Sequence, residues 1–288
     1  MKISRILAQK QPSLSFEVFP PKTEDTFASI REATEEIARL CPRFMSVTCR
    51  GNDALANHFT VETAANLQDH FGVTSIAHLT CVDSTREDIQ AKLAAMKDAG
   101  IENVLALRGD IPENSDPARW AYHYASELIA AIKAEGDFCV GGACYPEGHP
   151  ESPTVREDIA RLKEKVDAGC DFLTTQMFYD NNILYNFLYK IREAGITVPV
   201  VAGIMPVTNA ASLKRIYTLS GNQVPQRFRQ IVDRFGDNPA AMKQAGIAYA
   251  TDQVIDLLAN GVNAVHIYTM NKPDVAAKIQ ANLSEILR

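Results

Sequence analysis

The segment LSFEVFPPK, residues 14–22, places a carboxylate in the middle of an apolar strand that two prolines end. Side chains two residues apart share one face of an extended strand, so Ser15, Glu17 and Phe19 point the same way. If both faces are covered, Glu17 is a buried acid with a raised pKa that could donate a proton near neutral pH. The alternative is that Glu17 pairs with a basic residue at the end of an ordinary strand, and the segment by itself favours neither.

This segment is the first of eight strand patterns, each followed by helical periodicity. The predicted strands cover residues 15–19, 44–49, 75–80, 103–108, 138–145, 171–178, 199–205 and 264–270. The predicted helices cover residues 26–40, 60–70, 85–99, 119–135, 154–168, 181–193, 209–219, 226–235 and 240–259, with a last one from residue 273. This alternation predicts an α/β fold, a single (β/α)8 TIM barrel. A doubly wound sheet is the structural alternative, but no GxGxxG motif follows the first strand, so a Rossmann site has little support.

The composition argues against several classes of partner. A net charge of -6 gives no basic surface for nucleic acid, and no apolar run approaches the roughly 20 residues needed to span a membrane. The first residues have too short an apolar core for a secretory signal, which predicts a cytoplasmic protein. The six cysteines, at positions 41, 49, 81, 139, 144 and 170, show no CxxC spacing, so we expect reduced thiols and no metal site.

Polar residues collect toward the carboxyl ends of the predicted strands, where barrel enzymes place their active sites. They are Glu17, Thr48, Arg50, His78, Asp110, Tyr145, Gln176 and Tyr268. No predicted strand contains a lysine, and the sequence has no GxSxG motif, no P-loop and no His-x-His pair in its first strand. These absences argue against a Schiff-base aldolase, a barrel metal hydrolase and the common nucleophile enzymes.

Three features suit the binding of organic rings. Arg108 and Asp110 flank Gly109, and they form either an internal salt bridge or a site that holds a phosphate or ring carbonyl on Arg108 and an N–H-bearing ring on Asp110. Gly109 would let such a ligand approach the backbone closely. Residues 140–144, VGGAC, have little side-chain volume, which suits a flat ring. Gln176 could bind an amide-rich heterocycle or could be a polar core residue.

Seven ordered blocks resemble the methylenetetrahydrofolate reductases of bacteria. They are SFEVFPPKT, SVTCRGN, AHLTCVD, LALRGD, YPEGHPE, KVDAGCDFLTTQMFYD and GIMPVT, and the resemblance spans about residues 14–272. It implies a flavoprotein in which NADH or NADPH as co-substrate reduces FAD, which then passes hydride to 5,10-methylenetetrahydrofolate to give 5-methyltetrahydrofolate for methionine synthesis. It further implies one catalytic barrel over residues 1–288 without a regulatory domain, and we expect a homo-oligomer.

The resemblance also assigns roles to individual residues. Glu17 resembles the general acid that protonates the folate, Asp110 the carboxylate near the flavin and pterin rings, and Gln176 the amide shared by folate and nicotinamide. The residues that fall where the family binds FAD are Thr48, His78, Arg108, Gly109, Asp110, Tyr124, Ala125, Tyr145, His149, Asp158 and Lys165.

The sequence departs from the family pattern at two positions. Lys272 stands where relatives have an arginine, which keeps the charge but loses a bidentate grip on the carboxylate of the folate tail. Ile216 replaces an aromatic residue, with Tyr217 next to it. The alternatives to a folate reductase are another FAD-linked barrel oxidoreductase, such as one resembling proline dehydrogenases, and a flavin-free barrel that only binds a pterin or serves in an assembly.

Overall fold

Eight parallel strands close into a barrel in the computed structural model, which describes residues 1–21, 23–49, 54–111, 113, 115–211, 213 and 223–288. The strands pair in sequence order, and the eighth pairs with the first. They are β1 (Ser13–Val18), β2 (Met45–Val47), β3 (Ser75–Thr80), β4 (Asn103–Leu107), β5 (Cys139–Cys144), β6 (Phe172–Thr175), β7 (Val200–Ile204) and β8 (Ala264–Tyr268). The predicted (β/α)8 barrel is confirmed, and the doubly wound alternative is wrong.

Helices fill the connections between these strands. Among the described residues they are α1 (Ile3–Leu7), α2 (Phe27–Ala38), α3 (Ala54–Phe71), α4 (Arg86–Asp98), α5 (Ala125–Glu135), α6 (Val155–Asp167), α7 (Asn181–Glu193), α8 (Gln226–Phe235), α9 (Pro239–Ala259) and α10 (Pro273–Asn282). Short 3-10 turns cover Glu24–Thr26 and Pro117–Arg119. Side chains on the outer face of the sheet, including Phe16, Val47 and Ile267, are buried in the main hydrophobic core.

The amino-terminal end of the barrel is closed by α1, an element that the sequence patterns did not predict. Ile3 and Ile6 are buried together with inward-facing residues of the strands. The backbone N–H of Ile3 donates to Asn103 Oδ1 at 2.8 Å, and Asn103 Nδ2 donates to the carbonyl of Met1 at 3.0 Å. Because apolar side chains fill this end, the polar inner residues gather at the carboxyl ends of the strands.

Several strands are shorter at their carboxyl ends than predicted. Phe19, Thr48, Arg108, Tyr145 and Gln176 are each the first residue after a strand rather than its last part. Two of them add one more hydrogen bond to the neighbouring strand, since the N–H of Thr48 donates to the carbonyl of Val18 at 3.0 Å and that of Gln176 to the carbonyl of Cys144 at 2.7 Å, before the chain turns toward the next helix. These side chains therefore stand on the loops that form the mouth of the barrel.

Two predicted helices also begin elsewhere. The helix expected at residues 60–70 begins at Ala54, and the one expected at 119–135 begins at Ala125 after a separate 3-10 turn. The prediction at 209–219 lies largely outside the described residues. No described helix is long and apolar enough to cross a membrane. The described part of the chain holds no group of three or more His, Cys, Asp or Glu residues that could bind a metal ion.

Candidate active site

Glu17 lies on the inner face of β1, near the carboxyl end of the barrel. It pairs in register with Ser46 on β2 and with Tyr268 on β8. Its Oε2 atom lies 3.3 Å from Ser46 Oγ, 3.6 Å from His78 Nε2 and 4.0 Å from His266 Nε2. Although 21% of the side-chain surface is accessible, desolvation by the surrounding barrel raises the pKa of Glu17 to about 8. The prediction of an enclosed acid with a raised pKa is confirmed.

The two histidines beside Glu17 are neutral. Burial lowers the pKa of His78 to about 3, and burial together with the nearby His78 lowers the pKa of His266 to about 3. An uncharged imidazole forms no ion pair with a carboxylate. Among the described residues, the basic partner that the sequence left open for Glu17 is therefore absent.

His266, Ser46 and Phe44 complete these surroundings, and the sequence patterns did not single them out. His266 Nδ1 lies 2.7 Å from Ser15 Oγ, and His266 Nε2 lies 2.8 Å from Ser46 Oγ. The imidazole also stacks on Phe44, with 5.6 Å between ring centroids. One signal was available, since His266 lies two residues before Tyr268 and therefore shares the inner face of β8 with it.

Tyr268 crosses the inside of the barrel toward β6. Its hydroxyl donates to the carbonyl oxygen of Thr175 at 2.5 Å, and burial raises its pKa well above the ordinary range. The path of this side chain depends on Gly203 of β7. A Cβ atom on Gly203 would overlap the Tyr268 hydroxyl and would lie 2.5 Å from the Thr175 carbonyl oxygen. Gly203 is thus a residue that makes space for a neighbouring side chain.

Arg108 lies at the mouth after β4, and its partner is Glu151. Its Nη1 and Nη2 atoms donate to the two carboxylate oxygens of Glu151 at 2.5 and 2.7 Å. This fork raises the pKa of Arg108 and lowers that of Glu151. Asp110 is exposed and does not take part in it. The internal salt bridge considered between Arg108 and Asp110 is therefore wrong, because the loop after β5 supplies the carboxylate instead.

The glycines near the mouth are surrounded by protein side chains. A Cβ atom on Gly141 would overlap the ring of Phe172, and one on Gly142 would lie 3.1 Å from a cysteine sulfur. Gly109 has a φ of +90°, and its Cβ would lie 2.9 Å from a valine methyl group. The flat ring against Gly141 belongs to Phe172, so the expectation of a ligand ring at that position of β5 is wrong, whereas the approach of a ligand to the backbone of Gly109 stays a prediction.

The residues that the resemblance assigns to FAD lie on the strands, loops and helices from β2 to α6. Lys165 on α6 donates to the carbonyl of Ala143 at 2.9 Å, and the rings of Tyr145 and His149 meet edge to face at 4.6 Å. Asp158 accepts a hydrogen bond from Ser152 at 3.0 Å, Tyr124 is exposed at the start of α5, and Ala125 is buried there. The others are Thr48, which follows β2, His78 on β3, and Arg108, Gly109 and Asp110, which follow β4.

The residues expected to bind folate lie on the opposite side of the mouth, after β6 and β8. Gln176 is half-buried, and its Oε1 accepts from the backbone N–H of Met177 at 2.9 Å. Lys272 donates to the hydroxyl of Thr208 at 2.8 Å. Ile216 lies outside the described residues. The predicted residues thus lie on strands, loops and helices around the mouth. Among them, His78 is the residue whose ring nitrogen lies within 4 Å of the Glu17 carboxylate, the distance of an ion pair.

Comparison with known proteins assigns the chain to a family. A family model described as methylenetetrahydrofolate reductase matches residues 2–284. The chain belongs to the methylenetetrahydrofolate reductase family. The 5,10-methylenetetrahydrofolate reductases of Pectobacterium carotovorum subsp. carotovorum and Escherichia coli are each 32% identical to it, over 94% of this chain and 90% of their own length.

The family also includes longer plant proteins. Methylenetetrahydrofolate reductase (NADH) 1 of Arabidopsis thaliana is 35% identical over 299 residues, which cover 99% of this chain. The chain spans about half the length of the plant relatives that it matches.

Among solved structures, an uncharacterized Clostridium thermocellum protein that binds two copies of 5-methyl-5,6,7,8-tetrahydrofolic acid superposes with a TM-score of 0.67. The superposition covers 99% of both chains at 13% identity. At that identity, the match supports the barrel fold of this methylenetetrahydrofolate reductase family member and nothing more specific.

Proposed function

We propose that this chain reduces 5,10-methylenetetrahydrofolate to 5-methyltetrahydrofolate, with NADH or NADPH as the source of hydride and FAD as the cofactor. Membership of the family supports the reaction. The observation that carries it to the residues is Glu17, an acid inside the barrel mouth whose pKa is about 8. Few carboxyl groups hold a proton at neutral pH, and a reaction that opens a methylene bridge needs a proton donor.

Glu17 would act as the general acid toward a folate nitrogen. With a pKa of about 8, the carboxyl group is mostly protonated at pH 7, and it loses this form as the pH rises through 8. The inner faces of β2, β3 and β8 present only neutral groups to Oε2, namely Ser46, His78 and His266. None of these three groups is a cation that would stabilise the carboxylate, so Glu17 would keep its proton until it donates it to the substrate.

The residues along β3 to α6 fit a flavin dinucleotide by the chemistry of their donors. His78 Nε2 is buried and has no hydrogen-bond partner among the residues that the structure describes, an arrangement that costs free energy unless a ligand binds it. Arg108 and Lys165 supply cations for a diphosphate, and Tyr145 and His149 supply aromatic surface for a ring. When bound there, FAD would supply the hydride-transfer chemistry between the nicotinamide nucleotide and the folate.

The remaining rim residues would bind and orient the two substrates. Gln176 offers amide donors and an acceptor to a pterin or a nicotinamide, and exposed Asp110 offers a carboxylate to N–H groups of a ring. Lys272 would attract the carboxylate tail of the folate, although it would have to leave or share its hydrogen bond to Thr208. We further propose that one catalytic barrel is sufficient for both half-reactions. Association with copies of the chain and a cytoplasmic location stay predictions.

The test separates the two half-reactions. The purified protein should bind FAD and show a flavin spectrum, which NADH or NADPH bleaches without oxygen and methylenetetrahydrofolate restores. Glu17→Gln should retain bleaching by the nicotinamide nucleotide and should lose about 100-fold or more in the folate step, because only that step needs the proton. Equal loss in both steps would contradict the role of Glu17.

The same spectra discriminate the alternatives. A yellow protein that ignores folate but is bleached by an amino acid would be an oxidoreductase of the proline dehydrogenase kind. A colourless protein that takes up no FAD would favour a pterin-binding barrel.

A further inference from the structure

A chain of polar side chains runs from Glu17 along the inner face of the barrel to a backbone carbonyl. The successive contacts are Glu17 Oε2 to Ser46 Oγ at 3.3 Å, Ser46 Oγ to His266 Nε2 at 2.8 Å, His266 Nδ1 to Ser15 Oγ at 2.7 Å, and Ser15 Oγ to the carbonyl oxygen of Val265 at 3.0 Å. All five residues lie on β1, β2 or β8, and the register places Ser15 opposite His266 and Glu17 opposite Ser46. The sheet therefore fixes every link.

At the far end of this chain the polarity of the hydrogen bonds, meaning which group donates and which accepts, is fixed. A backbone carbonyl can only accept, so its contact with Val265 uses the single hydroxyl hydrogen of Ser15. The oxygen of Ser15 then accepts from His266 Nδ1, which must carry the one proton of the neutral ring. Nε2 therefore carries no hydrogen, and it accepts a hydrogen bond from the hydroxyl of Ser46.

The polarity reaches Glu17 through Ser46. The Ser46 hydroxyl has one hydrogen, which it donates in its hydrogen bond to His266 Nε2. Its oxygen therefore offers only a lone pair to Glu17 Oε2. A protonated carboxyl group can donate to that lone pair, whereas a carboxylate is repelled by it. The opposite arrangement, in which Ser46 donates to Glu17, requires the Nε2–H tautomer and turns the Ser15 hydrogen away from the Val265 carbonyl.

We propose that Ser15, His266 and Ser46 are positioning residues whose hydrogen bonds all point in one direction, set by the Val265 carbonyl as an acceptor. In this direction Ser46 accepts from Glu17, so the three residues hold that side chain as the neutral, proton-bearing acid. Their meaning for catalysis rests on the proposed function. The orientation of the hydrogen bonds does not, because it follows from the contacts together with the neutral state of the His266 ring. His266 acts here as a neutral ring whose tautomer matters, and it does not itself exchange a proton with substrate.

The other titratable groups that face Glu17 leave this polarity unchanged. His78 on β3 is neutral, with its pKa lowered to about 3 by burial. Tyr268 on β8 also faces Glu17, but its hydroxyl hydrogen is donated to the carbonyl of Thr175. Among the described contacts of the carboxyl group, Ser46 at 3.3 Å lies within hydrogen-bond distance of Oε2, whereas His78 Nε2 at 3.6 Å lies beyond it, so the hydrogen position of Ser46 is the one that favours or opposes ionisation.

The direct test is ¹⁵N NMR of the histidine side chains in the full chain near neutral pH. Ring nitrogens with and without a proton differ in chemical shift, so the spectrum reports the tautomer of His266. We expect Nδ1 to be protonated and Nε2 to be unprotonated. A protonated Nε2 would overturn the proposal. The measurement needs neither FAD nor folate, so an Nδ1–H tautomer in a protein that fails to reduce folate would remove only the proposed function.

Two serine variants test the links on either side of His266. Ser46→Ala removes an acceptor from the neutral acid, so the acid dissociation constant of Glu17, followed by its ¹³C carboxyl shift, should rise on the order of fivefold. If Ser46 instead donated to a carboxylate, the same variant would lower that constant, which would overturn the proposal. Ser15→Ala removes the anchor to Val265 and should shift His266 toward the Nε2–H tautomer, and an unchanged tautomer would also count against the proposal.

Ser13→Ala is the matched control for both variants. Ser13 lies on the same face of β1, and its hydroxyl donates to the carbonyl of Asn263 at 3.2 Å, outside the chain of contacts to Glu17. The same loss of a hydroxyl should therefore leave the tautomer of His266 and the dissociation constant of Glu17 as in the wild type. Equal shifts in the control would show a general effect on the barrel and would contradict the proposed path.

Discussion

The two sides of the barrel mouth hold their polar groups in different ways. Around Glu17, the contacting groups of Ser46 and His266 stand on strands, and parallel register brings them together. On the side of β4 and β5, Arg108 and Glu151 stand on loops, and their side chains are 25% and 59% exposed. Strands fix a proton donor within the sheet, whereas loops offer charges that can change partners. The acid should therefore tolerate far less displacement than the ion pair.

The largest expected effect is on the acid. Glu17→Asp keeps a carboxyl group but withdraws it by one methylene from the contacts of Oε2 with Ser46 and His78. We expect the folate half-reaction to slow about 100-fold, the order of loss that a displacement of about 1 Å produces in an aligned reaction. The nicotinamide half-reaction should stay within about twofold. Rapid-mixing spectroscopy of the flavin measures both.

Glu151→Asp is the matched change on the loop side. It shortens a carboxylate by the same methylene, but the pair with Arg108 stands on loops at the exposed rim. We expect less than about threefold change in either half-reaction, the effect of a weakened exposed ion pair. If both variants lost activity equally, the contrast between a rigid and an adaptable side would not hold.

Gly203→Ala tests the packing on the strand-built side. The added methyl group meets the hydroxyl of Tyr268 and the carbonyl of Thr175 inside a closed sheet, where the backbone cannot move away. We expect a loss of about 2 kcal/mol in the free energy of unfolding, within the range for overpacked cores. Denaturant unfolding measures it. Gly142→Ala, whose methyl group would meet a sulfur at 3.1 Å, should cost less, and a reversed order would show that Tyr268 is readily displaced.

The pH dependence of the two half-reactions sharpens the same contrast. The proton-bearing form of Glu17 is present below its pKa of about 8 and is lost above it. The folate step should therefore be flat near pH 7 and fall about tenfold for each pH unit above 8. The nicotinamide step should show no such fall. A folate step that gains rate above pH 8 would mean that the carboxylate, and not the acid, is the active form.

The sequence predicted the barrel and the enclosed acid because both follow from periodicity. Two-residue alternation put Glu17 on an inner face, and repeated strand and helix patterns gave eight units. The closure at the amino-terminal end was missed because α1 is only a few residues long, too short for a helical period to show.

The partners of the site residues were harder to predict, because they depend on which strands and loops become neighbours. Arg108 and Asp110 are close in sequence, yet the fork of Arg108 goes to Glu151 across two loops. The glycines of β5 suggested space, but space in a barrel is set by residues on adjacent strands, and Phe172 fills it. His266 was overlooked because its spacing from Tyr268 shows only the face on which it lies, and its partner Ser15 becomes visible only from the register of β1 and β8.

The smallest expected effect concerns the loop-built side. Glu151→Gln removes the charge that faces Arg108, and because the Glu151 side chain is 59% exposed, the free energy of unfolding should change by less than about 1 kcal/mol. The freed guanidinium can then bind a phosphate without first leaving a carboxylate, so FAD should bind the variant several-fold more tightly, as titration of the flavin fluorescence would show. Glu164→Gln is the control, since it removes a similarly exposed carboxylate, 51% against 59%, from its pair with Arg161 within α6 and should leave FAD affinity unchanged. Weaker FAD binding by Glu151→Gln than by the control would mean that Glu151 holds Arg108 in the position the cofactor needs, and that this side of the mouth is as fixed as the side around Glu17.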